Sequence, residues 1–246
     1  MKHTKSILLA TWFILLSGCI DGQEEVFIKE DGSASVKAVY RIPGVFFSAG
    51  DAEELRADIA REVGMGEHLM LVTNQVHREE GNRVITLVVE TANLKALEGL
   101  LSEHTLPKQA SKADKVLHAI VGRISVDVEG LRARFSRKID VLPLLNEYMG
   151  EDSLAMLGDS EFRYTIHLPK AIEHTNAHEV LNDGRTLKWV HHIGQAKGEP
   201  ITMMMVASVP LPSWVIVSAI ILAAALLVVA IVLGRRLGRG KPHYGK

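Results

Sequence analysis

Val26-Phe-Ile-Lys-Glu-Asp-Gly-Ser-Ala-Ser-Val-Lys-Ala-Val-Tyr-Arg-Ile42 is the stretch whose reading decides the fold. Val26–Glu30 and Ser35–Ile42 are rich in Val, Ile and Ala, and Asp31-Gly32 between them is a turn pair. Val36, Ala38, Tyr40 and Ile42 occupy alternate positions, so the second run has one apolar face, and the whole reads as a β-hairpin. A helix pattern follows at once. Asp51-Ala-Glu-Glu54 places an acidic N-cap three residues before a Glu, and Ala52, Leu55, Ile59 and Val63 form an apolar stripe that Gly64 and Gly66 end.

The same rhythm continues along the chain. Leu69–His77 and Arg83–Thr91 flank Glu79-Glu-Gly-Asn82 as a second hairpin, and Leu94–Leu101 reads as a short helix before a loop around Pro107. Val116–Glu129 and Leu131–Val141 join at Gly130 as a third hairpin, and 144–157 reads as a helix broken at Gly150. Phe162–Leu168, Arg185–His192 and Ile201–Val209 are further strands, with Asn182-Asp-Gly184 turning into the middle one. Hairpins separated by short helices predict an α+β domain: an antiparallel sheet with helices packed on one face.

Both ends carry membrane signals. Met1–Ser6 is short and basic, and Ile7–Leu16 is apolar but too short to cross roughly 30 Å of hydrocarbon, the layout of a secretory signal. It runs into Leu16-Ser17-Gly18-Cys19, which resembles a bacterial lipobox. That resemblance implies cleavage between Gly18 and Cys19 and acylation of Cys19, the chain's one cysteine, which also excludes an intrachain disulfide. The bland alternative is a hydrophobic N-terminal helix with a buried cysteine, which the basic start and the second membrane signal oppose. At the other end, 213–233 is uncharged and long enough for a transmembrane helix. Arg235, Arg236, Arg239 and Lys241 follow it, and the positive-inside rule puts that tail in the cytoplasm. The expected order is a signal peptide 1–18, an extracytoplasmic domain 19–209, a Pro-containing junction 210–212, a span 213–233 and a basic tail 234–246. The expected location is the bacterial inner membrane, with membrane lipids as partners through the Cys19 acyl chains and the span.

With the basic ends set aside, 21 basic residues face 29 acidic ones, a body near −8 that has no surplus to neutralise phosphates; nucleic acid is not an expected partner. The candidate chemistry lies in Glu173-His174-Thr-Asn-Ala-His178-Glu179, with His167 and His191-His192 nearby. His174 and His178 have the i, i+4 spacing that grips zinc from a helix, but Asn176 between them suits a turn, and His191 and His192 point to opposite faces of a strand. Solvated histidines are the default reading, and no metal or cofactor is expected. Ser125, Asp127 and His118 share one run without diagnostic value. Glu53-Glu54 and Glu79-Glu80 read as a helix start and a solvated turn, and Met203-Met204-Met205 as a strand packing into a core. Small residues at Ala219 and Ala223 fit a lipid-facing span.

Phe162–Leu168 into Leu168-Pro169-Lys170-Ala171-Ile172, then Thr175-Asn176-Ala177 and Thr186-Leu187-Lys188-Trp189, is similar to the signature of the LppM-domain lipoproteins, which share the lipobox, the ectodomain and the single C-terminal span. The resemblance implies a non-enzymatic envelope domain, with lipid or glycolipid binding for some members. It implies structural roles for the signature: Pro169 ends a strand, Thr175 and Asn176 belong to a turn in which Asn176 bonds its own backbone, and Trp189 plugs a core. The expected function is therefore a membrane-anchored binding module for an envelope lipid, glycolipid or protein. The alternative is a metal-assisted hydrolase using the His167–His192 region.

Overall fold

The computed structural model describes residues 20–98, 109–150, 157–158, 160–195 and 199–208. Cys19, Gly18, the span 213–233 and the tail lie outside these residues, as does Pro107. Among the described residues no helix is long and apolar enough to cross a membrane.

The domain is α+β, with eleven described strands in two sheets and three described α-helices. Strands β1 (Asp21–Ile28) and β2 (Ala34–Pro43) form the first hairpin, and α1 (Ala49–Met65) follows. Strands β3 (Leu69–Glu79) and β4 (Asn82–Thr91) make the second hairpin, α2 spans Lys112–Val121, and β5 (Arg123–Glu129) and β6 (Arg132–Ile139) make the third. After α3 (Leu142–Met149) come β7 (Glu161–His167), β8 (Ile172–Thr175), β9 (Glu179–Leu181), β10 (Thr186–His192) and β11 (Ile201–Ser208).

The single antiparallel sheet expected from the hairpins is in fact two sheets, and one pairing is parallel. Seven strands run in the order β3-β4-β2-β1-β7-β10-β9, and four in the order β5-β6-β11-β8. The parallel pair is β1 with β7, in which Gly22 lies opposite Phe162 and Val26 opposite Ile166. Strand β1 begins at Asp21, five residues before the apolar run that announced it. Gly22 is there because a Cβ would sit 2.8 Å from the Phe162 ring and 3.2 Å from the Tyr40 ring, its two cross-strand neighbours.

Helices cover only part of one face of the large sheet. Ile42, Ile85 and Val89 of β2 and β4 bury against Ala52, Leu55, Ile59 and Val63 of α1 and Val116 and Leu117 of α2. Val26, Tyr164, Ile166, Leu187 and Trp189 of β1, β7 and β10 bury instead against Phe135, Met203 and Met205 of the small sheet. Met203 and Met205 are enclosed and Met204 is exposed, as the strand reading of that run requires. The other face of the large sheet presents Gln23, Lys37 and Arg163 to solvent.

Three local expectations change. The α1 N-cap is Ser48, not Asp51: Ser48 Oγ accepts from the Asp51 N–H, and the Asp51 carboxylate returns the bond to Ser48 N, a reciprocal capping box. Val116–Val121 is the end of α2 and not the start of a strand. Ser111 and Asp114 form a second capping box that starts that helix, so His118 is helical while Ser125 and Asp127 lie on β5. Leu94–Leu97 is one 3-10 turn, and 99–108 lies outside the described residues.

Candidate functional site

The two halves of the large sheet meet at a seam of buried charge. Glu24 on β1 alternates inward with Gly22 and Val26, and Arg137 on β6 alternates inward with Phe135 and Ile139. Both are almost fully enclosed. Arg137 donates through both terminal nitrogens to Glu24, with Nη2 3.0 Å from Oε1. Its Nε and Nη2 also reach the Val121 and Ile120 carbonyls at 2.9 and 3.0 Å, so one side chain terminates α2 and pairs with β1. The Tyr40 hydroxyl donates to Glu24, and the guanidinium lies 5.2 Å from the Tyr164 ring centre.

These contacts set the protonation states. Burial opposes the Arg137 charge, but the Glu24 carboxylate more than offsets it and holds the guanidinium protonated above its ordinary range. Burial, helped by Glu24, pushes the Tyr40 hydroxyl well up, and burial pushes Tyr164 up to about 12. Both phenols stay neutral at physiological pH, and the Tyr40 hydroxyl serves as a donor to Glu24.

Two apolar compartments lie between the helices and the sheet. One, of ≈ 90 Å³, is bounded by Ala38, Tyr40, Leu87, Leu97, Leu117 and Arg137. The other, of ≈ 80 Å³, is bounded by Ile20, Phe47, Ile120, Leu144, Tyr148 and Leu157. Helix α2 is the wall between them: Leu117 and Val121 face the first, Val116 and Ile120 the second. Apolar walls with a few fixed polar groups are the usual composition of a small-ligand site. Neither compartment was visible in the sequence, because each is walled by residues from elements far apart in the chain.

The signature residues form a lock between the sheets. Asn176, just after β8, accepts through Oδ1 from the Trp189 indole N–H at 2.9 Å and from the Met204 backbone N–H at 2.8 Å. Its Nδ2 donates to the Thr202 carbonyl at 2.9 Å. Asn176 thus binds β10 of one sheet to β11 of the other, in place of the expected bond to its own backbone. Thr175 Oγ1 donates to the Met204 carbonyl and accepts from Ala177 N, both at 3.0 Å. Trp189 is 1% exposed and fills the core between the sheets, and Pro169 stands two residues beyond the end of β7.

The histidines do not converge. His167 stacks on Phe27 with ring centres 4.4 Å apart, 2.9 Å from a Glu25 carboxylate oxygen. His174 is exposed on β8, a strand, so the i, i+4 spacing to His178 has no helix to act through. His178 Nδ1 accepts from Val190 N, and its ring meets His191 edge-on at 4.8 Å. His191 faces inward and His192 outward, as strand alternation requires. Burial, with His178 and His192 beside it, lowers His191 to about 4. His191 and His192, with Asp140 and Glu199, border an open depression of ≈ 620 Å³. Among the described residues no three metal-ligating side chains are grouped to hold a cation.

No family model matches the chain, and no curated protein does. Among solved structures, it is similar to the NMR structure of the folded domain of the Mycobacterium tuberculosis LppM protein, with a TM-score of 0.48 and 14% identity over 79% of this chain and 92% of that one.

Proposed function

We propose that the chain is a membrane-anchored extracytoplasmic lipoprotein whose domain binds the acyl part of an envelope lipid or glycolipid without catalysing a reaction. The observation that carries this reading is the pair of apolar compartments on either side of α2. Each has the volume of about three water molecules, enough for the end of one acyl chain. An outward shift of α2 would join them into one groove. That helix is held at its C-terminus by Arg137 and at its N-terminus by Lys112 Nζ donating to the Phe46 carbonyl, and ion pairs of Lys112 with Asp51, Asp114 with Arg61 and Lys115 with Glu147 tie it to its neighbours. Ile20 lines the second compartment and donates its N–H to Ser160 Oγ at 2.9 Å. Acylation at Cys19 would therefore set the lipid anchor one residue from the compartment wall.

The test uses the full-length protein purified from its native membrane, with copurifying lipids identified by mass spectrometry and a fluorescent fatty acid as titrant. Ala38→Leu fills the first compartment and should weaken fatty-acid binding severalfold at a stability cost of no more than about 1–3 kcal/mol. Binding should depend weakly on salt, because an acidic body offers no attraction to anionic headgroups. Unchanged binding in Ala38→Leu, or binding that collapses between low and physiological salt, removes the compartments from the reading.

The depression beside His191, His192, Asp140 and Glu199 favours the second reading, a metal-assisted hydrolase. Its test is metal content: stoichiometric zinc in the purified protein, lost in His191→Ala or His192→Ala, would replace the binding module by an enzyme.

A further inference from the structure

The small sheet has one end at which the chain leaves the domain. Ser208, the last residue of β11, lies opposite Arg132, and Ala207 lies opposite Ala133. Arg132 is the first residue of β6, so the β5–β6 turn is one strand spacing, about 4.8 Å, to the side of the exit. Five residue steps separate Ser208 from Ser213, where the uncharged segment begins. At no more than roughly 3.5 Å per residue, that connection reaches about 18 Å.

The tip at this end is apolar where a soluble hairpin would be polar. Gly130 at φ +60° and Leu131 make a two-residue turn, and Leu131 is 55% exposed. Val128, opposite Ala133, is 52% exposed. Val128, Ala133, Ala207 and Ile172 form a row across all four strands, so the exposed valine continues the core face past the point where the large sheet covers it. Charge around the tip is close to balanced, with Glu129 exposed on the turn opposite Arg132. Arg132 bridges to Glu173 at 3.0 Å, Ser208 Oγ donates to the same carboxylate at 2.6 Å, and Arg134 lies opposite Asp127.

We propose that the β5–β6 tip inserts Val128 and Leu131 into the interfacial layer of the bilayer that holds the chain, and so fixes the tilt of the domain on the membrane. This rests on the reading of 213–233 as a span. Two side chains add little affinity for a free protein. Here the tether makes the contact intramolecular, so a weak apolar insertion suffices to select one orientation. With acids and bases close to balance around it, the tip has no basic surplus to seek anionic lipid. A zwitterionic surface is its partner.

The experiment places an environment-sensitive fluorophore on Leu131→Cys in full-length protein reconstituted into phosphatidylcholine vesicles. Cys19→Ser in the same chain confines the label to the introduced thiol. Lys138→Cys, exposed at the opposite end of β6 and opposite Thr202, is the reference. Cofloating vesicles with a blue-shifted position 131, quenched severalfold more by lipid-borne nitroxide than position 138, are the expected result. Cofloating with equal, water-like spectra at 131 and 138 overturns the insertion and leaves the span standing. Protein that stays with the aqueous fraction overturns the span, and the insertion with it. Leu131→Ser labelled at Val128→Cys gives a second measurement on the same tip, in which the blue shift should shrink; a shift that stays the same also overturns the insertion.

Discussion

The helix-covered and sheet-covered halves of the large sheet start from the same strand alternation and end with different interiors. Under the small sheet, β1, β7 and β10 meet flat strands, and Trp189, Met203 and Met205 fill the space. Under α1 and α2, β2 and β4 meet rounded surfaces, and two compartments remain beside α2, the first reaching the seam at Phe135, Arg137 and Tyr164. Layer geometry sets this difference more than hydrophobicity does, since both halves bury mainly aliphatic side chains. Tyr40 packs against both cores and touches the Glu24–Arg137 pair, so the seam is where one interior gives way to the other.

The largest expected effect breaks the comparison at that seam. Glu24→Ala leaves Arg137 buried without its carboxylate and should cost about 3–5 kcal/mol, read by chemical denaturation of the purified protein. Glu24→Leu combined with Arg137→Met should recover most of that loss, because the pair carries its own desolvation penalty. A single mutant within about 0.5 kcal/mol of wild type would mean that water reaches the pair.

A smaller effect sharpens the sheet-covered half. Asn176→Ala strands the enclosed Trp189 indole N–H, while water can replace the bond at the exposed Met204 N–H, and should cost about 1–2 kcal/mol. Near-ultraviolet circular dichroism of Trp189 should report the loosening, with the proposed fatty-acid binding little changed, because Trp189 lines neither compartment. Loss of binding in this variant would show that the two interiors are not independent.

The smallest effect concerns pH. His191 has a folded pKa near 4, below its ordinary value near 6.5, so the folded state disfavours the charged ring. The unfolded chain then binds more protons between those values. Stability from His191 is complete above about 6.5 and declines as pH falls toward 4. His191→Phe should remove that part of the acid slope, and denaturation midpoints at pH 7 and pH 4.5 should differ less than in wild type. An unchanged slope would place the acid response elsewhere.

The elements that the sequence shows well are those whose partners lie nearby in the chain. Glu79 to Asn82 turns β3 into β4 where its Gly indicates, and Ala52, Leu55, Ile59 and Val63 all bury. Ser111 and Asp114 carried a helix-start signal, but the apolar run 116–121 fits a strand equally well at that length. The parallel pairing of β1 with β7 leaves no trace in periodicity, because register between distant strands is a tertiary property. The start of β1 was hidden for another reason: Asp21, Gly22, Gln23 and Glu24 have poor strand propensity, and the partners that make them a strand come later in the chain. Asn176 illustrates the same limit at a single residue. Its type suited a local turn, and its bonds reach two strands in two sheets.

The pairing of Gly22 with Phe162 also has a consequence for the order in which the chain can assemble. The buried residues that β2, β4, α1 and α2 share lie between Ile42 and Leu117, so their mutual contacts can form as soon as that stretch exists. Strand β1 can close on β2 at once, but its other edge stays open until β7 has been synthesised, 140 residues after Gly22. Closing so long a loop is a late step in any folding route. The Glu24 carboxylate, waiting likewise for Arg137, remains in water until then. A chain that folds from its N-terminus as it emerges would carry β1 with one open edge until β7 arrives, a site for mispairing along the way.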